Sequence, residues 1–485
     1  MASTAERSDR GLLLGAALAT AALGAALARR VPVGIPGEWV WRPNQLELEL
    51  GPAGWAGLAL VVVAWFATRA GWWTKLSAAR RAAALALLMA ASFAMQVGLL
   101  NATGLPWITP GAIIASPVAT TYYSVSLDVR DPAEWVASYP ERMASLPYHA
   151  RTHPPGFVLL FVGLRRLCEW ALPQGSPALS TIAESYRVFG IGPSATDAAA
   201  AMAGAFLFAL IGALSLGPLY LLTRDLAGAE VGICAAALMA AMPSMLLFGA
   251  SSDQVALTFA VLTLWLAYSA WQRGCPVRAS LAGLTLAVGL FFTLGLLILV
   301  AWLVVWAGLG VVRSANRGAA MRRALMGAGA AALGFVACYG VLYVTLRYRP
   351  IAVAQAGLFA HRGVTTIEVA RSYWKWILID PVELAIFAGL PAVAAALWSV
   401  RGVGSTGLHT FLVSWLVTVA MLDLSGTVRG EVGRIWLFLL WPVALAGAAR
   451  LAERPRRAMA IAMLVALQVW QTLLMRGYLT LYDIF

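Results

Sequence analysis

The stretch from Ser126 to Gly156, SLDVRDPAEWVASYPERMASLPYHARTHPPG, concentrates groups that move protons and bind anions: Asp128, Asp131, Glu134, Glu141, His149, Arg151 and His153. Asp128 and Asp131 stand three apart, the spacing of one helical face. A carboxylate placed this way can serve as a general base, because a hydroxyl is a poor nucleophile until its proton is accepted. Asp131 also has a structural reading, since Pro132 suits the first turn of a helix and Asp131 would cap it. Asp128 has no such alternative and is the first choice of base. Glu134 and Glu141 read as solvated. His149, Arg151 and His153 alternate ahead of Pro154 and Pro155, whose restricted backbone either aims these side chains into a cleft or simply turns the chain. The two histidines alone do not make a metal site, and a divalent metal ion would require a further ligand such as an aspartate.

Three more places carry chemistry. Asp253, in GASSDQVAL, lies between two apolar runs and is either the cap of the helix starting at Gln254 or a site residue. Arg429, Glu431 and Arg434, in LDLSGTVRGEVGRIWLF, form a basic–acidic–basic group. Arginine forks bind phosphate or carboxylate in pairs, and the same residues can close an internal salt bridge. Arg371 and Lys375, in ARSYWKW, are four apart with aromatics between them, which fits an interfacial helix or a phosphate clamp.

The elements that must position these residues are membrane helices. Of 485 residues, 61% are hydrophobic and 12% charged, where a soluble domain has about 45–50% and about 25%. Runs of about 18 or more apolar residues match the thickness of a bilayer. The pattern predicts an all-α polytopic membrane protein with about thirteen transmembrane helices, at 11–28, 54–68, 82–100, 196–222, 230–250, 254–272, 279–294, 296–312, 324–346, 383–400, 408–424, 435–449 and 457–475. The first run reads as a membrane helix and not as a cleaved signal peptide. The four cysteines sit in no paired motif and read as packing residues.

Charge sets the orientation. With the N-terminus inside, the cytoplasmic segments hold 18 basic and 5 acidic residues and the outer segments 17 and 17, so the whole excess of +13 faces the cytoplasm. A nucleic-acid partner is not needed to explain it. The same parity predicts that residues 154–172 lie along the outer surface, because a crossing there would put the arginine-rich loops outside. Residues 101–195 are then one outer segment bearing juxtamembrane helices. Three parts follow: an N-terminal hairpin at 1–81, a central part at 82–312 containing the outer loop, and a C-terminal part at 313–485 with outer loops 347–382 and 425–434.

The order of features in the central part resembles the membrane-embedded GT-C glycosyltransferases, especially their protein-mannosyltransferase and aminoarabinose-transferase branch. TTYYSVSLDVRD matches the family's outer acidic loop, HPPG its proline segment, LTRDLAG its basic turn and Asp253 its outer aspartate. The acid pair the family carries before Tyr122 and Tyr123 is replaced by Thr120 and Thr121, which leaves Asp128 or Asp131 to act. The resemblance implies an inverting glycosyltransferase that moves a sugar from a polyprenyl-phosphate donor to a lipid, glycan or protein acceptor. The active site would lie on the outer face of a bacterial plasma membrane. It implies Asp128, Asp131 and Asp253 as the catalytic set. Donor phosphate would fall to Arg429, Arg434, Arg371 and Lys375, and substrate to His149, Arg151, His153, Glu431, Tyr122 and Tyr123. The rival expectation is a lipid or solute transporter or flippase, which would more often carry internal repeats and mid-membrane ionisable groups.

Overall fold

In the bilayer no water pairs with backbone amides, so a spanning chain must satisfy them within each helix. The computed structural model describes residues 4–103, 105–117, 119–173, 176–187, 194–363, 371–399 and 406–482, and among these the one sheet is a hairpin pairing Gly34–Ile35 with Trp39–Val40. The chain is an all-α integral membrane protein. Among the described residues eight helices are long and apolar enough to cross: Ser8–Ala28, Ala78–Leu100, Ala195–Ala227, Asp253–Arg273, Leu294–Arg313, Arg317–Leu346, Gly407–Ser425 and Arg457–Tyr478. The remaining expected spans coincide with shorter apolar helices, Gly51–Ala67, Ala229–Ala240, Pro276–Phe292 and Leu437–Leu451, and with a pair, Tyr373–Ala388 and Leu390–Ser399, bent by 101°.

Small residues let these helices approach closely. A Cβ on Gly283 would sit 1.8 Å from the Ala331 carbonyl oxygen, and one on Gly334 would sit 1.9 Å from that of Ser280. This fixes Pro276–Phe292 against Arg317–Leu346, a helix that buries none of its own side chains and faces lipid. At the bend, the side chain of Gln471 replaces the lost helical partners. Its oxygen accepts from the Leu390 amide (2.9 Å) and its nitrogen donates to the Ile386 carbonyl (2.7 Å). A broken helix is tolerated at membrane depth on this condition.

The predicted hairpin at 279–312 turns at Thr293, whose hydroxyl accepts from the Gly295 amide. The predicted surface helix is Gly156–Ala171, which buries Phe157, Val158, Phe161 and Val162 and leaves Trp170 exposed. Arg165, in the middle of that helix, pairs with Asp197 at 2.5 Å and donates to the Ser126 carbonyl. That contact ties the helix to Ala195–Leu214 and explains a cation in an apolar run.

Segments of like expected sidedness meet. Stretches within 35–42, 119–153, 251–253, 357–361, 425–434 and 480–482 converge on one cavity. The segments expected inside converge at the other end, where Arg454 pairs with Asp9, Trp398 donates to Ser8, Trp73 donates to Tyr220 and Arg457 pairs with Glu230. Residues 364–370 of the expected outer loop 347–382, and Arg401 between the expected spans 383–400 and 408–424, lie outside the described residues.

Candidate functional site

The cavity measures about 1130 Å³, slightly above the usual range for small-molecule sites. Part of its wall is apolar, with Leu294, Leu297, Ile298, Met421, Leu422 and Phe438. Leu297 and Met421 are 42% and 50% exposed, so this wall presents open apolar surface. The opposite part is polar and is built on two loops.

The first is 425–434. Gly426, Gly430 and Glu431 all adopt positive φ (58°, 76° and 59°), and this curls the backbone around two buried acids behind it. The Gly430 amide donates to Asp380 (2.8 Å), and the Gly433 amide and the Trp41 indole donate to Glu383 (3.1 and 3.2 Å). Asp380 and Glu383 are three apart on Tyr373–Ala388 and share its buried face. Held in this way, Glu431 stands between two guanidinium groups, accepting from Arg371 at 2.9 Å and from Arg434 at 3.0 Å. Its two oxygens are thereby engaged. The Nε donors of Arg371 and Arg434 remain buried with no hydrogen-bond acceptor among the described residues. A buried unsatisfied donor is costly, and two on neighbouring arginines favour an anion in the cavity. Arg434 Nε stands 3.9 Å from the Asp253 carboxylate.

Asp253 opens the helix Asp253–Arg273, and its carboxylate accepts from the Ser251 hydroxyl at 2.5 Å. It caps no backbone amide; Ser252 occupies the cap position. The cap alternative therefore gives way to a carboxylate turned to the cavity in the first turn, where the helix dipole favours negative charge.

The second loop brings His149 and His153. The Tyr139 hydroxyl reaches the carbonyls of Ala150 and His153 (2.7 and 2.8 Å), and the Ala150 amide donates to Thr121 (3.1 Å). These bonds lock HARTHPP beneath Tyr122, whose ring meets His153 edge-on at 5.7 Å. Both imidazoles line the cavity and are enclosed by protein on their other sides. Burial pushes His149 down to about 3, helped by Arg434 and His153. Burial pushes His153 down to about 4, against its bond to the His149 carbonyl and with help from His361 and Arg434. Neutral His153 that donates from Nδ1 to the His149 carbonyl (3.0 Å) carries its lone pair on Nε2.

The structure brings together Tyr122, His149, His153, Asp253, Arg371, Arg429, Glu431 and Arg434. Others fall elsewhere. Asp128 is exposed and does not line the cavity. Asp131 caps the helix Pro132–Ala137, accepting from the Ala133 and Glu134 amides (2.8 and 3.3 Å), so the structural alternative is the one realised. Tyr123 is buried against Phe161, and Arg151 lies over the Tyr148 ring outside the cavity.

One expectation about cations needs correction. Arg371 and Lys375 do not share a helical face, because Arg371 precedes the helix that starts at Tyr373. The reason is Glu38 of the hairpin. It takes the Ser372 amide (2.7 Å) and hydroxyl (2.5 Å), the Lys375 ammonium (2.9 Å) and the Trp376 indole (2.9 Å). Lys375 is thereby turned outward. The Ser372 and Lys375 bonds hold Glu38 down at about 2. Arg429, which lines the cavity, gives Nε to the Gly426 carbonyl (3.1 Å) and Nη1 to the Arg371 carbonyl (2.6 Å), so it also braces the loop.

The sequence reading missed the hairpin with Glu38, Trp39 and Trp41, and the buried pair Asp380 and Glu383. The pair had a signal, two acids inside an apolar run. The hairpin had none, since its role depends on contacts more than 300 residues away. Among the described residues, no three or more His, Cys, Asp and Glu form a metal-binding group. No protein-family model and no curated protein sequence matches the chain.

Proposed function

We propose that this chain is an inverting glycosyltransferase that takes a sugar from a polyprenyl-phosphate donor at the outer face of a bacterial plasma membrane, with thirteen crossings. The observation that carries the reading is the pair of orphaned guanidinium donors, Arg371 Nε and Arg434 Nε, beside Asp253 in a cavity with one apolar wall. An amphiphile with an anionic link fits such a site. The isoprenoid would lie against Leu297, Ile298 and Met421, and the phosphate against Arg371 and Arg434. Asp253 would accept the proton of the acceptor hydroxyl. The hydroxyl oxygen would attack the anomeric carbon, the bond from that carbon to the phosphate oxygen would break, and the electron pair would leave with the lipid phosphate. Arginine charge stabilises that departing anion. His149 and His153, held neutral, can accept hydrogen bonds from sugar or acceptor hydroxyls. This assignment moves the base from Asp128 to Asp253. The acceptor is a lipid, a glycan or a protein; the membrane lipids surround it, and no nucleic acid takes part.

A broken helix carrying Asp380 and Glu383 also occurs in transporters, so a lipid or solute flippase is the second reading. Purified protein incubated with polyprenyl-phosphate sugars and acceptor glycans separates the two. The enzyme reading expects free polyprenyl phosphate and a glycosylated product. Movement of intact donor across proteoliposomes with no such release would instead establish the transporter.

A further inference from the structure

A second pocket, of about 420 Å³, lies at the end of the bundle opposite the cavity. It is formed where Asp253–Arg273 and Leu294–Arg313 end and where Arg317–Leu346 and Gly407–Ser425 begin. Arg313 and Arg323 line it, with Trp271, Trp306, Gln272 and Asn316. Among the described residues neither arginine pairs with an acid: Arg313 meets His409 Nδ1 (3.3 Å) and the Thr410 hydroxyl (2.8 Å), and Arg323 meets the Trp271 carbonyl (3.5 Å). The sequence gives the same picture, because no Asp or Glu occurs between Asp253 and Glu368, while Arg273, Arg278, Arg313, Arg317, Arg322 and Arg323 all fall at this end.

We propose that this pocket holds the phosphate of an anionic phospholipid, whose acyl chains run along the lipid-facing sides of Leu294–Arg313 and Arg317–Leu346. The geometry supports each half of that ligand. Gly310, Ala319 and Ala320 keep the wall low between the two helices. Val304, Val312 and Leu325, on the outer faces of those helices, are strongly exposed and give an apolar track. Two guanidinium groups with no acidic partner among the described residues offer a phosphodiester charge-assisted bonds, and Trp271 and Trp306 have the amphipathic character of interfacial anchors. A basic pocket between helices on the cytoplasmic side is a physical match for an anionic headgroup. The assignment to the cytoplasmic leaflet rests on the orientation proposed above; the binding does not.

The test uses the full-length protein in phosphatidylcholine nanodiscs with and without phosphatidylglycerol, and reads retained lipid by native mass spectrometry and thermal stabilisation by melting. Native protein retains phosphatidylglycerol. The double variant R313Q/R323Q loses affinity on the order of tenfold or more, since each arginine near a charged surface counts for about fivefold. Ala320→Phe keeps both charges, fills the pocket and gives the same loss, which decides the matter if the double variant does not fold. R80Q/R81Q, altered at another basic helix start, retains the lipid. Equal loss in R80Q/R81Q would reduce the effect to general surface charge and overturn the site. Glycerol phosphate or inorganic phosphate giving the same stabilisation as the lipid would make the ligand a soluble phosphate and overturn the lipid assignment. None of these readouts uses sugar transfer, so a failed glycosyltransferase assay leaves this result intact.

Discussion

A carboxylate can act as a base only where the substrate can reach it. Asp253 lines the cavity and Asp128 does not. Asp253→Asn keeps the shape and removes the basic oxygen, so polyprenyl phosphate release should fall by roughly 10²-fold or more while donor binding persists. Asp128→Asn should turn over at near the native rate. The opposite pair of results would return the base to Asp128. The two histidines give a second residue-scale test. Their values in the fold, about 3 and about 4, lie below the ordinary 6.5. An unfolded chain therefore binds more protons than the folded one once the pH drops below about 6.5. Their contribution to stability is complete above that pH and is lost as the pH falls towards 4 and then 3. Melting temperatures measured across pH 4 to 6.5 should decline with acid, and His153→Gln should flatten the decline. An unchanged slope in that variant would mean that His153 is already charged in the fold.

At the scale of elements, the loop 425–434 decides where the arginines stand. Gly430 has φ +76°, and a Cβ there would lie 2.7 Å from the Trp376 ring. Gly430→Ala should cost about 1–3 kcal/mol through backbone strain and weaken donor binding, as judged by melting and by lipid-phosphate affinity. Arg434→Lys retains the charge but loses the planar fork, so it should bind donor more weakly than native protein and more tightly than Arg434→Ala. The cap at Asp131 gives a contrast on a different element. Asp131→Ala should lower stability by about 1 kcal/mol and leave turnover per folded molecule unchanged.

For the whole molecule, orientation is the property to measure. After replacement of Cys168, Cys234, Cys275 and Cys338, single cysteines at Ser185 and Ser314 report on the two ends. An impermeant thiol reagent should label position 185 only from outside and position 314 only from the cytoplasm. Labelling of position 185 from the cytoplasm would invert the bundle and turn Gly156–Ala171 into a crossing.

The helical membrane architecture was legible because apolar length is a local property and each span satisfies its own backbone. The arginine counts, summed along short loops, gave an expected orientation that the labelling experiment decides. Candidate groups such as Asp253, His153, Glu431 and Arg434 could be named from their types beside apolar runs. Which of them meet could not be read in the same way. Asp128 read as the first choice of base and Asp253 as a cap or a site residue, and only the placement of Thr121, Tyr139 and the loop 425–434 put Asp253 at the cavity and left Asp128 on the surface. Arg371 and Lys375 looked like a helical pair until Glu38, more than 300 residues away, captured Ser372 and started the helix after Arg371. Local composition therefore determined the medium the chain lives in and the ends its charges occupy. The tertiary structure decided the site, because hydrogen bonds between distant segments choose which charges face a shared cavity.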